Sequence, residues 1–301
     1  MNKILLFLLV VVSMLIILFG LKGPPTPIPT PEPPPNVVPQ PDPPIEKPIP
    51  GSQVEWFSFP QQQSKKAPTP FLTDIVSHLP SKFGNTYYDS DPVTWGHETT
   101  HGIHSHLRNE FGKGKVAFYV GNNKAAFMMQ PKMKLRQISA TIPTNLRGSR
   151  YQTYFVSQLS GWDDFPLYVF DEWVAYNNGA AVGLETPVGK VDFTPQHREL
   201  HTVSENRSDV MVGALEFSVY AMLTCVAIDK YDPSFLENKQ YKEFVAFELK
   251  RSIDIYRKGI KMPQYIWDTP LEKNVRQNAE CIAILNKMYG DGLTMRKLFD
   301  D

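Results

Sequence analysis

His97, Glu98 and His101 stand together in the run Trp95-Gly96-His97-Glu98-Thr99-Thr100-His101-Gly102-Ile103-His104. On a helix, residues four apart share a face, so His97 and His101 direct two imidazoles toward one point. Neutral imidazole nitrogens suit zinc, which favours a tetrahedral set of donors. Glu98 follows the first histidine directly and lies about a quarter turn from the histidine face. A carboxylate there can hold a water beside an ion without ligating the ion itself. Two ligands and a base thus fall within five residues.

A catalytic zinc takes three protein ligands and keeps one position open for water. Two later carboxylates are candidates for the third. Glu172 lies in Phe170-Asp171-Glu172-Trp173-Val174-Ala175-Tyr176, and Glu216 lies in Val212-Gly213-Ala214-Leu215-Glu216-Phe217-Ser218-Val219-Tyr220. Each is an acidic residue in an apolar helical pattern, which is costly unless the charge is paired or bound to a cation. Asp171 is placed to orient a metal-bound histidine through its other ring nitrogen. The bland alternative is that Asp171 and Glu172 are two carboxylates favoured by a helix N-terminus.

The five-residue run resembles the His-Glu-x-x-His motif of the zincin metallopeptidases at every fixed position. The metzincin extension asks for glycine and histidine where this chain has His104 and Leu107, so that branch does not fit. The gluzincin branch takes a glutamate from a later helix, and Asp171-Glu172 with Ala175 is similar to its ligand helix. The resemblance therefore implies a Zn2+ centre of His97, His101 and Glu172, with Glu216 as the rival third ligand. It further implies that Glu98 acts as general base toward a metal-activated water and passes the proton to the leaving amine. Zincins give a histidine or tyrosine outside the metal helix the task of sharing the oxyanion charge, for which Tyr176 and His201 are the candidates. Val116 to Val120 is the expected strand for pairing with an extended peptide, although in zincins that strand precedes the metal helix and here it follows. The likeness covers the motif and the ligand helix, not the whole chain.

Other histidines admit simpler roles. His104 is expected as a helix-surface or site-lining residue and His106 as a solvated one. His197 and His201 form a second pair four apart, without the glutamate that activates water. Cys225 and Cys281 sit in apolar helical patterns, either paired across two helices or as buried free thiols, and their spacing offers no zinc ribbon.

The chain carries 31 basic and 31 acidic residues, so its charge gives no reason to expect a nucleic-acid partner. Residues 1–22 contain an almost unbroken apolar run, Ile4 to Phe19, that reads as a signal anchor spanning the membrane. No small-x-small cleavage site follows it; a cleaved signal is the alternative. In residues 23–53, from Pro24 to Pro50, about every second residue is proline, which forbids helix and sheet. Such a polyproline tether, at about 3.1 Å per residue, would hold a domain roughly 80 Å away. The expected arrangement is an extracytoplasmic catalytic domain, residues 54–301, acting on peptide or protein substrates and bound to the membrane through its N-terminal helix.

Within that domain, Asp89-Ser90-Asp91-Pro92 supplies a cap for a motif helix from about Pro92 to Glu110, ended by Gly112 and Gly114. Lys115–Val120 and Ala125–Met129 flank an Asn/Gly turn and read as a hairpin, and Lys134 to Ile142 as a further strand. Helical spacing then runs over Tyr151–Leu159, Pro166–Leu184, Ser208–Asp229, Tyr241–Lys258 and Leu271–Tyr289, with a break from Thr186 to Thr202. The expected class is α+β: a zincin-like domain with a small sheet and a mostly helical C-terminal half. Two other functions remain open at this level, a silent zincin-fold binding or envelope domain and a zinc amidase of cell-wall peptides. The intact Glu98 speaks against the silent domain.

Overall fold

The computed structural model describes residues 48–186, 198–262 and 270–300, with the side chains of 198–206 left out. The apolar segment 1–22 and most of the proline-rich segment therefore lie outside the described residues. The unit Glu46–Asp301 is mixed but mostly helical. Its three-stranded antiparallel sheet has the order β1-β3-β2, with β1 at Phe57–Ser58, β2 at Val116–Gly121 and β3 at Lys124–Met128. Asn122 and Asn123 make the β2–β3 turn with φ of 53° and 56°, the left-handed region that asparagine tolerates.

α1 (Pro70–His78) packs against α2 (Pro92–Phe111), the helix that carries the His-Glu-Thr-Thr-His run. Asp91 starts α2 by accepting the Thr94 N–H at 2.8 Å, with Pro92 at the first position. α5 (Tyr168–Glu185) lies across α2, and behind it come α6 (Arg198–Tyr231) and α7 (Lys239–Gly259). Gly179 permits the close α2–α5 approach, since a Cβ there would meet the Val93 carbonyl at 3.2 Å and His97 Cβ at 3.3 Å. Phe118 of β2, Phe170 and Trp173 of α5, Phe217 and Tyr220 of α6 and Phe244 of α7 fill the core between these elements. Each such side chain contributes about 1.5–3 kcal/mol by leaving water, enough to fix how the helices sit against one another. Among the described residues, only Arg207–Tyr231 is long and apolar enough to cross a membrane, and it is buried inside this core.

Four expected elements change. Lys134–Ile142 is not a strand: Leu135–Thr141 is helix α3, because Leu135, Ile138 and Ile142 fall on one buried helical face and the Lys134 N–H is taken by the Gln137 side chain. Tyr151–Leu159 forms a π-helical turn at Thr153–Ser157 followed by a short α4, Leu159–Trp162. Leu271–Tyr289 divides into α8 (Leu271–Arg276) and α9 (Ala279–Tyr289), since Asn278 caps the second by accepting the Cys281 N–H at 2.9 Å. A last short helix, α10, spans Met295–Phe299. α6 also begins earlier than expected, so Arg198–Thr202 is helix rather than a break. Cys225 and Cys281 are both free and buried, and the disulfide alternative is not realised.

Candidate metal centre

α2 and α5 bring His97, His101 and Glu172 to one point. The two Nε2 atoms are 3.1 Å apart, and Glu172 Oε2 stands 3.8 Å from that of His97 and 3.5 Å from that of His101. Glu172 Oε2 is buried and has no hydrogen-bond partner. A triangle with these edges has a circumradius of about 2.0 Å, which is the length of zinc–imidazole and zinc–carboxylate bonds. Two nitrogens and one oxygen are also the donor set of a catalytic zinc site, so the residues present fit the ion. The side chains of His97 and His101 remain 13% and 24% exposed, so the point they share is reachable from solvent.

The surrounding groups fix these three. Asp171 Oδ1 accepts from His101 Nδ1, which turns Nε2 of that ring toward His97 and Glu172. Tyr168, one helical turn before Glu172, donates to Glu172 Oε1 at 2.6 Å and stacks flat on Trp162 with centroids 4.2 Å apart. Its hydroxyl also lies 2.6 Å from the Gln158 amide. A hydroxyl has one proton, so Gln158 Oε1 and Glu172 Oε1 are alternative acceptors of it.

Electrostatics follow from burial and charge. Burial, then the charge of His101, pushes His97 down to about 3, so it is a neutral imidazole at ordinary pH. Burial disfavours an imidazolium at His101 too, but the Glu172 and Asp171 carboxylates overcome it and raise this ring well above its usual value. Both carboxylates stay ionised: against burial, His101 holds Glu172 below its ordinary value, and His104 with His101 hold Asp171 well below the carboxylate range. The metal-free centre is thus two buried carboxylates facing a protonated His101 and a neutral His97.

Glu98 is exposed beside His97, free of the pairing that occupies Asp171 and Glu172. Tyr176 lies against His97, ring edge to face with centroids 4.7 Å apart, and its hydroxyl is 3.2 Å from that of Tyr154 on the π-helical turn. Tyr87, not singled out by sequence, rests on α2 at Gly102, where a Cβ would come within 2.4 Å of its ring. Burial raises its phenol, opposed by His101 and reinforced by Glu98.

Glu216 is elsewhere engaged. It is fully buried, accepts the Arg150 N–H at 2.8 Å and the Tyr220 hydroxyl at 2.6 Å, and pairs with the Arg150 guanidinium at 3.2 Å. Arg150 in turn lies over the Tyr176 ring, 4.7 Å from its centroid, so Glu216 reaches the centre only through Arg150 and Tyr176. His201 is in α6 with its side chain outside the described residues, as is all of His197. His106 is not solvated but buried among Phe59, Phe83 and Phe111. β2 is buried from Ala117 onward and its Tyr119 carbonyl accepts from Asn178 Nδ2 at 2.9 Å, so this strand does not offer an open edge for a peptide.

Sequence spacing held a signal for Tyr168, four residues before Glu172 on the same helical face. Nothing local marks Arg150 or Tyr87, which reach the centre through the packing of distant segments. Comparison with family models, with curated proteins and with solved structures returned no match.

Proposed function

We propose that this protein is a gluzincin-like zinc peptidase, tethered to a membrane by its N-terminal apolar segment and proline-rich stalk, with its catalytic domain outside the cytoplasm. The observation that carries this reading is the convergence of His97 Nε2, His101 Nε2 and an unpartnered Glu172 Oε2 at zinc-bonding spacing beside Glu98. His97, His101 and Glu172 would hold the ion, which when bound supplies Lewis acidity toward a carbonyl and toward water.

Glu98 accepts the proton of the attacking water and returns it to the departing amine nitrogen. Its exposure suits both transfers, because a carboxylate already committed to an ion pair could not cycle. Asp171 keeps the proton of His101 on Nδ1 so that Nε2 stays a donor of electrons. Tyr168 holds the Glu172 carboxylate in one rotamer through Oε1. Tyr176, whose ring lies against His97, is the candidate donor for charge developing on the substrate oxygen.

Metal analysis of the purified full-length protein is expected to find about one zinc per chain. On a mixed peptide library, Glu98→Gln should keep the zinc and lose about 10²–10⁴-fold in cleavage rate. A parent protein that holds zinc yet cleaves no peptide overturns the peptidase reading, and one that binds no zinc overturns the metal centre.

A further inference from the structure

Three residues past His101, the same helix places His104 in an unusual position. The ring is 1% exposed, and neither ring nitrogen has a hydrogen-bond partner. Its Nδ1 lies 3.3 Å from Asp171 Oδ1, the same oxygen that takes the His101 Nδ1 proton. The ring plane is set by edge contacts to Phe118 of β2, with centroids 5.8 Å apart, and to His101, with centroids 6.4 Å apart. Burying an imidazole without using its nitrogens is unfavourable, and an aliphatic residue would fill this space at no polar cost. The polar ring therefore needs a partner, and among the described residues the carboxylate beside its Nδ1 is Asp171.

We propose that His104 is a positioning residue of the zinc centre: it anchors Asp171 through Nδ1 so that this carboxylate stays on His101. The inference rests on the zinc centre proposed above and extends it by one shell. Asp171 projects from α5 while both histidines project from α2, one turn apart. An Asp171 held only by His101 is free to turn about its own side-chain torsion and release Nδ1. Held by His101 and His104 together, its oxygen is fixed to two points of one rigid helix. His101 then keeps the tautomer and ring orientation that present Nε2 to the metal. Outer groups of this kind control affinity without touching the ion.

The test uses zinc affinity of the full-length protein, measured by competition with a chromophoric chelator, with a thermal melt of each variant as the folding check. Leucine and asparagine are close in size, but only asparagine places an N–H near the position of Nδ1. His104→Leu is expected to weaken zinc about 10–100-fold, the usual effect of removing an outer partner, and His104→Asn to stay within about threefold of the parent. In an Asp171→Asn background, His104→Leu should cost no further affinity, because His104 acts through Asp171. If the leucine variant does not fold, His104→Gln replaces it, since its amide extends past Nδ1 toward the Nε2 position. Equal weakening by leucine and asparagine, an undiminished affinity in the leucine variant, or losses that add to those of Asp171→Asn would each overturn the proposal while leaving the zinc centre standing. A parent that binds no zinc removes the centre and this inference with it.

Discussion

Asp171 Oδ1 accepts from His101 Nδ1, while the neighbouring Glu172 offers Oε2 to the opposite nitrogen of the same ring at 3.5 Å. Two adjacent residues of α5 thus address the two ends of one imidazole, Asp171 at Nδ1 and Glu172 at Nε2. Asp171 stands at Nδ1, across the ring from the Nε2 that faces His97 and Glu172, which is the place of an orienting group rather than of a fourth ligand. Asp171→Asn should therefore lower zinc affinity about 10–100-fold while leaving the metal stoichiometry at saturation unchanged. Chelator competition measures the first and metal analysis at saturating zinc the second; an unaltered affinity would show that His101 needs no partner.

Glu172 and Glu216 look alike in sequence and separate in structure. Glu172→Ala removes a donor at the centre, and the full-length protein should lose its zinc on dialysis against a weak chelator. Glu216→Ala should retain zinc but destabilise the fold by about 3–5 kcal/mol, because among the described residues it leaves the buried Arg150 cation with the more exposed Asp209 as its carboxylate partner. Zinc retention, together with denaturant unfolding of the metal-free variants, distinguishes the two. Equal zinc retention in both would remove Glu172 from the ligand set.

Local chemistry explains which parts of the site were legible in the sequence. Asp91-Pro92 and Gly112 delimit α2 by rules that act within one turn, and Asn122-Asn123 fixes the hairpin in the same way. The Asp171-Glu172 pair stood out because charge in an apolar helix needs a compensating partner. Leu135–Thr141 misled because Ile138, Thr141 and Ile142 favour strands, while the burial of Leu135, Ile138 and Ile142 is what stabilises the helix. Leu271–Tyr289 kept an apolar period across a cap that only Asn278 announces. His106 and Arg150 are set by aromatic and ionic partners far along the chain, and no window of neighbouring residues contains that information.

The shared proton of the centre gives a pH signature. In the unfolded chain both histidines titrate near pH 6.5. In the folded, metal-free chain His97 is held near 3 by burial and by the His101 charge, whereas Glu172 and Asp171 overcome burial to keep His101 protonated well above its usual range. Below about pH 6.5 the unfolded chain binds two protons and the folded pair one, so stability falls as the pH drops. Above about pH 6.5 the unfolded pair has released its protons and the folded pair keeps one, so the contribution of His101 is lost as the pH rises through its folded value. Asp171 and Glu172, both depressed, contribute stability above their unfolded values near pH 4 and lose it as the pH falls further. The histidine pair alone therefore gives the metal-free protein a stability maximum near about pH 6.5. Zinc must displace the His101 proton to reach Nε2, so binding at pH 7 should release about one proton, and affinity should rise about tenfold per pH unit around neutrality. Calorimetric zinc titrations in buffers of different ionisation enthalpy count that proton directly. A count near zero would mean that His101 is already neutral in the folded chain, and the anionic pair of Asp171 and Glu172 would then lack the compensating charge assigned to it.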